Sequence, residues 1–294
     1  MINVALIGKG HWGQIYQKTL KKISEVNLFG IYTYNYINEA LINKEIDAVI
    51  IATPAETHFQ ITKDALLSGK HVLVEKPFTT NSNDAQELIR ISTENNLILQ
   101  VGHIYLFHDA IIKLKELIDN GTLGDIESVY SKRMSKSKHP NSLWEMGCHD
   151  IYTLDYLFDK YVAEEDKAMG DISHCIFNMQ YNKILYQPYI REHKINAYVE
   201  VYNDYPGKIR EIIVNGSEKR AIFDDVSETK LTITYRKNKE VNFAKFIKVD
   251  TSVTPLEKQC KHFFDCIQNH EKPISGAFEG FKNVKSLELI EKLL

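Results

Sequence analysis

Ile2-Asn-Val-Ala-Leu-Ile-Gly-Lys-Gly-His-Trp-Gly13 is the stretch that decides the fold. Its first six residues form a short apolar run ending in glycine, which is typical of a buried parallel strand. Gly8, Gly10 and Gly13 follow in the spacing G-x-G-x-x-G. There the first glycine allows a tight turn, the second lets backbone approach a pyrophosphate, and the third lets helix pack on strand. The stretch therefore predicts a phosphate-binding loop at a helix N-terminus; a tight turn without a ligand is the alternative.

The same alternation of strand and helix continues to about residue 101. We expect strands at Asn27–Tyr32, Asp47–Ala52, His71–Val74 and Leu97–Val101, and helices at Ile61–Ser68, before the C-cap Gly69, and at Asn83–Asn95. This order predicts βαβ units around a parallel sheet. Ligands gather beyond the carboxyl ends of such strands. Gly8, Thr53, Glu75 and Gly102 each lie just past a predicted strand end, so we expect them to meet at one site.

The second half of the sequence has a different pattern of predicted elements. The polar, glycine-rich stretch Asp119–Gly124 predicts a link between two domains, residues 1–120 and 121–294. Beyond it we expect strands at Ile126–Met134, Lys194–Tyr202, Ile209–Val214 and Leu231–Tyr235, turns at Pro206-Gly207 and Asn215-Gly216, and helices at Leu143–Phe158, Leu256–Asn269 and Phe278–Leu294. Sequential strands joined by turns predict a mainly antiparallel sheet with helices on one face. The predicted fold class is α/β, with a C-terminal α+β domain.

Composition excludes several classes of protein. The chain has 294 residues, of which 36 are Lys or Arg and 39 are Asp or Glu, so it has no basic footprint for nucleic acid. No apolar run reaches the roughly 18 residues of a membrane span, and the N-terminal apolar run is a better strand than signal peptide. The four cysteines, Cys148, Cys175, Cys260 and Cys266, form no CxxC pair. We therefore expect reduced thiols in a cytoplasmic protein.

Two groups of residues carry candidate chemistry. Glu75-Lys76-Pro77 ends the predicted strand His71–Val74, and Pro77 restricts the backbone of Lys76 to extended conformations. This position favours a functional cation over an ordinary surface lysine. Glu145 and His149 are four apart on a predicted helix and so share a face. They could be a base and its orienting carboxylate; a surface ion pair or a metal site is the alternative.

One expected feature is missing after the second predicted strand. An acid that holds the ribose hydroxyls is expected about 20 residues beyond the glycine loop. The residues there are Ile31-Tyr-Thr-Tyr-Asn35, with no acid and no arginine for a 2′-phosphate. The sequence thus leaves the choice between NAD and NADP open.

Taken together, these residues resemble the family of glucose–fructose oxidoreductase, inositol dehydrogenase and MocA (Gfo/Idh/MocA). The resemblance lies in Val4–Gly13, Asp47–His58, Gly69–Pro77, Val101–His103 and Leu143–Asp150, with Tyr205–Arg210 and Asn215–Ser217 similar to later strands. It implies an N-terminal Rossmann NAD(P)-binding domain and a C-terminal α+β domain with an open mixed sheet. That second domain would carry the substrate site and the interface of a homodimer or homotetramer.

The resemblance also implies roles for individual residues. Lys76 would hydrogen-bond the reacting hydroxyl, its bond to Pro77 is commonly cis, and His149 would be the acid–base residue. Glu145 stands where aspartate is usual, and Leu106 replaces an arginine. The implied cofactor-binding residues are Gly8, Gly10, His11, Trp12, Gly13, Thr53, Pro54, His58, Glu75, Lys76 and His103. The implied substrate-binding residues are Lys76, Tyr105, Arg133, Trp144 and His149. No metal is implied.

The form Leu-Trp-acid-x-x-x-His-Asp resembles a branch of the family that acts on nucleotide-activated sugars. Arg133, Lys136 and Lys138 would then meet a substrate diphosphate; a solvated basic loop is the alternative. The expected function is NAD(P)-dependent hydride transfer to or from a secondary alcohol or ketone of a sugar. A non-catalytic dinucleotide-binding sensor or scaffold, and a reductase of a non-sugar carbonyl or imine, remain alternatives. Neither nucleic acid nor membrane is an expected partner.

Overall fold

A computed structural model of the chain describes residues 1–137, 140–158, 168–171, 173–185, 191–237 and 240–294. The chain forms two compact units. The first consists of Met1–Phe107 and Val253–Lys285, and the second of His108–Ser252 and Ser286–Leu294.

The strands and helices are bounded as follows. The strands are β1 Ile2–Ile7, β2 Val26–Tyr32, β3 Ala48–Ile51, β4 His71–Glu75, β5 Leu99–Gly102, β6 Ile126–Lys136, β7 Ala168–Gly170, β8 His174–Leu185, β9 Arg191–Tyr202, β10 Asp204–Gly216, β11 Lys219–Asp224, β12 Leu231–Lys237 and β13 Glu240–Ile247. The α-helices are α1 His11–Leu20, α2 Ile37–Ile42, α3 His58–Leu67, α4 Ser82–Glu94, α5 Asp109–Asp119, α6 Cys148–Phe158, α7 Pro255–Asn269 and α8 Ala277–Leu293.

The first unit is built on a parallel sheet with the strand order β2-β1-β3-β4-β5. All four residues of β3 are buried because helices cover both faces of a parallel sheet. The predicted strands of the first half are confirmed, with ends within two residues of the predicted ones. The α/β fold class is confirmed as well.

The sheet of the first unit ends at β2. The doubly wound order 3-2-1-4-5-6 places a third strand outside the second, but in the first unit, which is described throughout, β2 has β1 as its one neighbour. The connection from β2 to β3 holds only a 3₁₀ turn, Tyr34–Tyr36, and the six-residue helix α2. Compared with the doubly wound order, the first unit therefore lacks the strand outside β2, on the side where the predicted dinucleotide loop meets β2.

Helix α7 belongs to the first unit although it follows the second in sequence. Its Leu256 and Phe263 are buried in one core with Leu6 of β1, Ile50 of β3 and Leu20 of α1. In the second unit, α5 packs on α6 and β11. The two units therefore differ from the predicted division at residues 120 and 121, because the apolar face of a distant helix completes the core of the parallel sheet.

The second unit contains a sheet whose described strands lie in the order β13-β12-β11-β10-β6-β9-β8-β7. Only β6 and β9 pair in parallel among these strands, and the other neighbours are antiparallel. The prediction of a mainly antiparallel mixed sheet is confirmed. Strands β7, β8, β11 and β13 were not predicted.

Two predicted turns are wrong in position. Pro206-Gly207 lies inside β10, where the register slips between Asp204 and Lys208. A proline has no N–H to give to the ladder, so it is tolerated at such a bulge. The chain reverses three residues before Pro206, at Asn203. Asn215-Gly216 ends β10, and the reversal into β11 falls on Ser217 and Glu218.

The four cysteines are free, and all four are buried. Among the described helices, none has both the length and the apolar character needed to cross a lipid bilayer.

Candidate functional site

The glycine loop between β1 and α1 has a separate steric reason for each glycine. Gly8 has φ +117°, and a Cβ there would lie 2.2 Å from the carbonyl oxygen of Ala52, the residue after β3. A Cβ on Gly13 would lie 2.2 Å from the Gly8 carbonyl oxygen. A Cβ on Gly10 would meet no heavy atom within 4 Å. The first and third glycines thus close the turn, and the second faces open space above the helix.

That open space lies at the N-terminus of α1. Gly10 is the N-cap and has no side chain with which to cap the first turn. The first N–H groups of a helix need acceptors, and an anion is a suitable one. His11 is exposed and Trp12 half-buried beside them. The residues present therefore fit a dinucleotide pyrophosphate, as the sequence predicts.

The loop after β3 is joined to the turn after β4 by His58. This buried ring has Nδ1 2.7 Å from the Pro77 carbonyl oxygen and Nε2 3.0 Å from the Thr53 carbonyl oxygen. A neutral imidazole can donate through only one nitrogen. Burial nevertheless lowers the pKa of His58, while the two carbonyl oxygens act to raise it. His58 therefore links two loops of the predicted cofactor site through its ring nitrogens.

Pro54 opens the loop that His58 braces, in extended backbone before the 3₁₀ turn Ala55–Thr57. The Thr57 hydroxyl lies 2.7 Å from that of Thr53. The loop thus carries its polar side chains just beyond β3, at the carboxyl edge of the sheet where ligands bind.

Glu75, the last residue of β4, is the centre of a buried polar network. The Tyr16 hydroxyl donates to its Oε1 at 2.7 Å, and the Lys76 N–H donates to its Oε2 at 3.1 Å. Gln259 of α7 donates to the Tyr16 oxygen at 3.1 Å, and Gln100 of β5 donates to the Gln259 carbonyl oxygen at 3.3 Å. Burial raises the pKa of Glu75 and also that of the Tyr16 hydroxyl. The network ties the end of β4 to α1 and α7.

Lys76 follows in a cis peptide bond to Pro77. Its side chain is half-buried, and its charge lowers the pKa values of His58 and His103. For His103 burial is the larger cause, and together they lower its pKa to about 3. Gly102 packs against the network, since a Cβ there would lie 3.0 Å from Glu75 Oε1. The structure thus brings the Glu75-Lys76-Pro77 turn, His58 and His103 together in the first unit.

Three of these residues were missed by the sequence analysis, namely Tyr16, Gln100 and Gln259. Tyr16 is three positions beyond Gly13 on the buried face of α1, where its hydroxyl needs a partner. That hydroxyl was the signal available in the sequence. The glutamines gave no signal, because their partners come from segments far apart in the chain.

His149 and Glu145 lie in the second unit. His149 is half-buried near the start of α6, and Glu145 lies in a π-helical turn, Leu143–Gly147, which precedes that helix. Glu145 Oε2 accepts a hydrogen bond of 2.7 Å from Ser137. The pair therefore spans the junction of a π turn and an α-helix rather than one continuous α-helix. The roles of both residues remain predictions. Among the described residues no metal-binding group of three was found.

Arg133 does not lie in a basic loop. It is a buried residue of β6, with Nε 2.8 Å from Asp150 Oδ2 and Nη2 3.3 Å from Asp150 Oδ1. Ser131 donates to the same carboxylate at 2.8 Å. This ion pair accounts for an arginine at position 133 without a substrate phosphate. Lys136 is exposed at the end of β6, and Lys138 lies outside the described residues.

The other two predicted substrate residues differ in exposure. Tyr105 is 7% exposed, in a 3₁₀ turn at Ile104–Phe107 of the first unit. Trp144 is half-buried in the π turn, and its backbone N–H donates to Asn141 Oδ1 at 3.1 Å. Their contact with a substrate remains a prediction.

The comparisons with known proteins agree with this geometry. Residues 13–103 match the family model GFO_IDH_MocA, the oxidoreductase family with an NAD-binding Rossmann fold. Over these residues the chain is similar to the Gfo/Idh/MocA family. The match contains Thr53, His58, the Glu75-Lys76-Pro77 turn and His103, which are the residues that the structure brings together.

Two relatives of known activity are similar to part of this chain. UDP-N-acetylglucosamine 3-dehydrogenase of Acidithiobacillus ferrooxidans is 33% identical over 130 residues, which are 39% of this chain and 41% of that protein. The dTDP-3,4-didehydro-2,6-dideoxy-alpha-D-glucose 3-reductase of Streptomyces violaceoruber is 33% identical over 101 residues, 34% of this chain and 30% of that protein. The chain spans less than half the length of each of these relatives.

Solved structures match over almost the whole chain at low identity. UDP-N-acetylglucosamine 3-dehydrogenase GnnA of Acidithiobacillus ferrooxidans gives a TM-score of 0.85 at 20% identity, covering 100% of this chain and 97% of that one. The aldose–aldose oxidoreductase of Caulobacter crescentus gives 0.82 at 17% identity, covering 99% and 97%. At such identities the likeness establishes the fold alone.

Proposed function

We propose that the protein is an NAD(P)-dependent oxidoreductase that moves a hydride between nicotinamide and a secondary alcohol or ketone of a nucleotide-linked sugar. The observation that carries the proposal is the cluster around Lys76. A cation stands beside buried Glu75 and neutral His103 at the carboxyl edge of the sheet that carries the glycine loop. Strand ends of this kind are where doubly wound sheets bind ligands.

In the proposed reaction Lys76 supplies charge where the substrate oxygen becomes an alkoxide. Burial holds His103 neutral, so Lys76 supplies the positive charge in this cluster at neutral pH. Glu75 accepts from the Lys76 N–H, and His58 holds the Pro77 carbonyl oxygen, so the turn that carries Lys76 is fixed on both sides. A pre-positioned cation of this kind stabilises a developing oxyanion without reorganisation.

His149 takes the hydroxyl proton in the oxidation and returns it in the reduction. Its assignment rests on the family motif, and histidine is the side chain that most often acts as a general acid or base. Gly8, Gly10 and Gly13 hold the pyrophosphate of the cofactor, and Thr53, Pro54 and His58 line the loop beside it. When bound, the nicotinamide supplies the hydride chemistry at its C4 atom.

The names of the relatives support a nucleotide-sugar substrate, since both act on sugars linked to a nucleoside diphosphate. Arg133 is committed to Asp150. The exposed Lys136 therefore remains the proposed contact for a substrate diphosphate in the described part of the chain. Arginine and lysine differ here, because lysine binds phosphate as a point charge rather than as a fork.

The proposal is tested by two measurements in order. Titration with NADH and NADPH, followed by fluorescence, should show saturable binding. UDP- and dTDP-sugars are then screened for a change in absorbance of the reduced nicotinamide. Turnover with such a sugar supports the proposal, and turnover only with a non-sugar carbonyl or imine moves the assignment to that class.

The rival from another class is a dinucleotide-binding sensor or scaffold without catalysis. The missing ribose acid and the Glu145 side chain, engaged by Ser137, favour it. Binding of the dinucleotide without turnover of any screened substrate would support this rival. If the protein bound neither NADH nor NADPH, only the scaffold hypothesis would remain.

We also propose that the open sheet of the second unit mediates a homodimer or homotetramer. Tyr130 of β6 and Tyr198 of β9 stack with centroids 5.2 Å apart while remaining 43% and 37% exposed. Exposed aromatic groups on a sheet face are typical of interfaces. Light scattering should give a mass of two or four chains, and the double variant Tyr130→Asp, Tyr198→Asp should be monomeric. The free, buried cysteines support a cytoplasmic location.

A further inference from the structure

The loop after β2 lies directly beside the glycine loop. The Gly8 N–H donates to the Tyr32 carbonyl oxygen at 2.9 Å, and Ile7 pairs with Tyr32 across the sheet. Thr33 follows as the N-cap of the 3₁₀ turn Tyr34–Tyr36. Thr33 and Lys9 therefore each lie just past the end of one of two neighbouring parallel strands, β2 and β1. This is where the adenosine ribose of a dinucleotide lies in a doubly wound fold.

The groups offered at this place are neutral donors and one cation. Thr33 has a half-buried hydroxyl, Tyr34 is 64% exposed, and Asn35 and Lys9 are exposed. Neither Lys9 nor Thr33 makes a side-chain hydrogen bond or ion pair with the described part of the chain. A hydroxyl, an amide and an ammonium group all donate to phosphate oxygens.

The sequence places few acids near the end of β2, and the first after the turn is Glu39 of α2. Between Met1 and Asn38 the sequence has one acid, Glu25. It lies before β2, at the opposite end of that strand and roughly 25 Å along it from Thr33 at the usual rise of an extended chain. A carboxylate beside the ribose accepts from its 2′-hydroxyl and repels a 2′-phosphate. In this chain that repulsion is missing.

The sheet edge adds room at the same point. Because β2 is the edge strand, no further strand of the first unit, which is described throughout, stands outside it. Only the short turn and α2 follow. A bulky, doubly charged group on the ribose would therefore face solvent and donors rather than a neighbouring strand.

Resting on the proposed function, we propose that this site prefers a dinucleotide with a 2′-phosphate, with Lys9, Thr33 and Asn35 as the residues that select it. A phosphate monoester carries about −1.5 to −2 charges at neutral pH. The one cation and the several hydrogen-bond donors at this place would therefore stabilise a 2′-phosphate more strongly than a ribose hydroxyl. The preference is thus set by charge at the end of β2, and it should weaken as salt screens it.

The test is a fluorescence titration of the full chain with NADPH and with NADH. We expect NADPH to bind at least about fivefold more tightly, about 1 kcal/mol at 1.4 kcal/mol per factor of ten. Likewise 2′,5′-ADP should displace bound NADPH better than 5′-AMP does. Equal or tighter binding of NADH would overturn the inference and leave the proposed function standing. Failure to bind either dinucleotide would overturn both.

Two variants with matched controls identify the residues. Thr33→Asp should weaken NADPH at least about tenfold and leave NADH within about twofold, by the like-charge repulsion it introduces. The new aspartate is also a good N-cap, so the turn should persist. Asn38→Asp makes the same charge change on α2 and should have a much smaller effect. Lys9→Gln should weaken NADPH about fivefold at low salt, whereas Lys18→Gln should not. Equal effects of variant and control would refute the assignment.

Discussion

Removing one hydroxyl group from Tyr16 should destabilise the first unit. The hydroxyl is fully buried between Glu75 and Gln259, donating to the first at 2.7 Å and accepting from the second at 3.1 Å. The variant Tyr16→Phe keeps the ring in the core and deletes both bonds. A hydrogen bond to a charged group contributes about 1.5–3 kcal/mol, and a neutral one about 0.5–1.5 kcal/mol. We therefore expect the free energy of unfolding to fall by about 2–4.5 kcal/mol.

The assay is denaturation by urea, followed by the fluorescence of Trp12 in α1. The protein has two tryptophans, so the measurement is made in a Trp144→Phe background to report on the first unit. The control is Tyr36→Phe, because the Tyr36 side chain is 57% exposed. A surface change of this kind should alter the free energy of unfolding by less than about 0.5 kcal/mol.

The stability lost in Tyr16→Phe should also depend on pH. Burial raises the pKa of Glu75, so the acid is easier to protonate in the folded than in the unfolded chain. The Tyr16 bond is strongest to the ionised carboxylate, so the gap between wild type and Tyr16→Phe should widen as pH rises through the folded pKa. A loss under about 0.5 kcal/mol, equal to that of the control, would refute the claim that this network holds the end of β4.

Three further predictions concern other parts of the molecule. Gly13→Ala should destabilise the fold, because its Cβ would lie 2.2 Å from a backbone oxygen. The Cβ of Gly10→Ala would meet open space. That variant should therefore melt like wild type yet weaken dinucleotide binding. Burial lowers the pKa of His103 to about 3, so the unfolded chain takes up its proton first and stability should fall as pH drops from about 6.5 toward 3, by up to about 1.4 kcal/mol per pH unit. That slope should be shallower in His103→Gln. Arg133→Met should cost about 3–5 kcal/mol in urea denaturation, because it leaves the Asp150 charge buried without its partner; a loss below about 1 kcal/mol would contradict the buried pair.

The parts of the fold that local patterns encode were predictable. The run Ile2–Ile7 followed by three spaced glycines predicts a strand, a turn and a helix, because the whole pattern lies within a dozen residues. The strand that ends at Glu75 is likewise a local signal, and it correctly places Lys76 at the carboxyl edge of the sheet.

The parts that depend on distant segments were not predictable in this way. Helix α7 packs on α1, more than two hundred residues earlier, so its place in the first unit has no local signature. Arg133 reads as a surface cation until Asp150 meets it in the folded chain. Pro206-Gly207 has the composition of a turn, and only the register of β10 against β6 makes it a bulge.

The central claim is that the Lys76 ammonium group stabilises the reacting oxygen beside the bound cofactor. The most direct measurement compares Lys76→Ala with the control Lys63→Ala, a surface lysine paired with Glu87, in both substrate turnover and NAD(P)H affinity. We predict that turnover falls at least about 10²–10³-fold in Lys76→Ala, as on loss of an oxyanion donor. The dinucleotide affinity should stay within about threefold, since Lys76 is assigned to the reacting oxygen and the pyrophosphate to the glycine loop. Turnover equal to that of Lys63→Ala would contradict the claim.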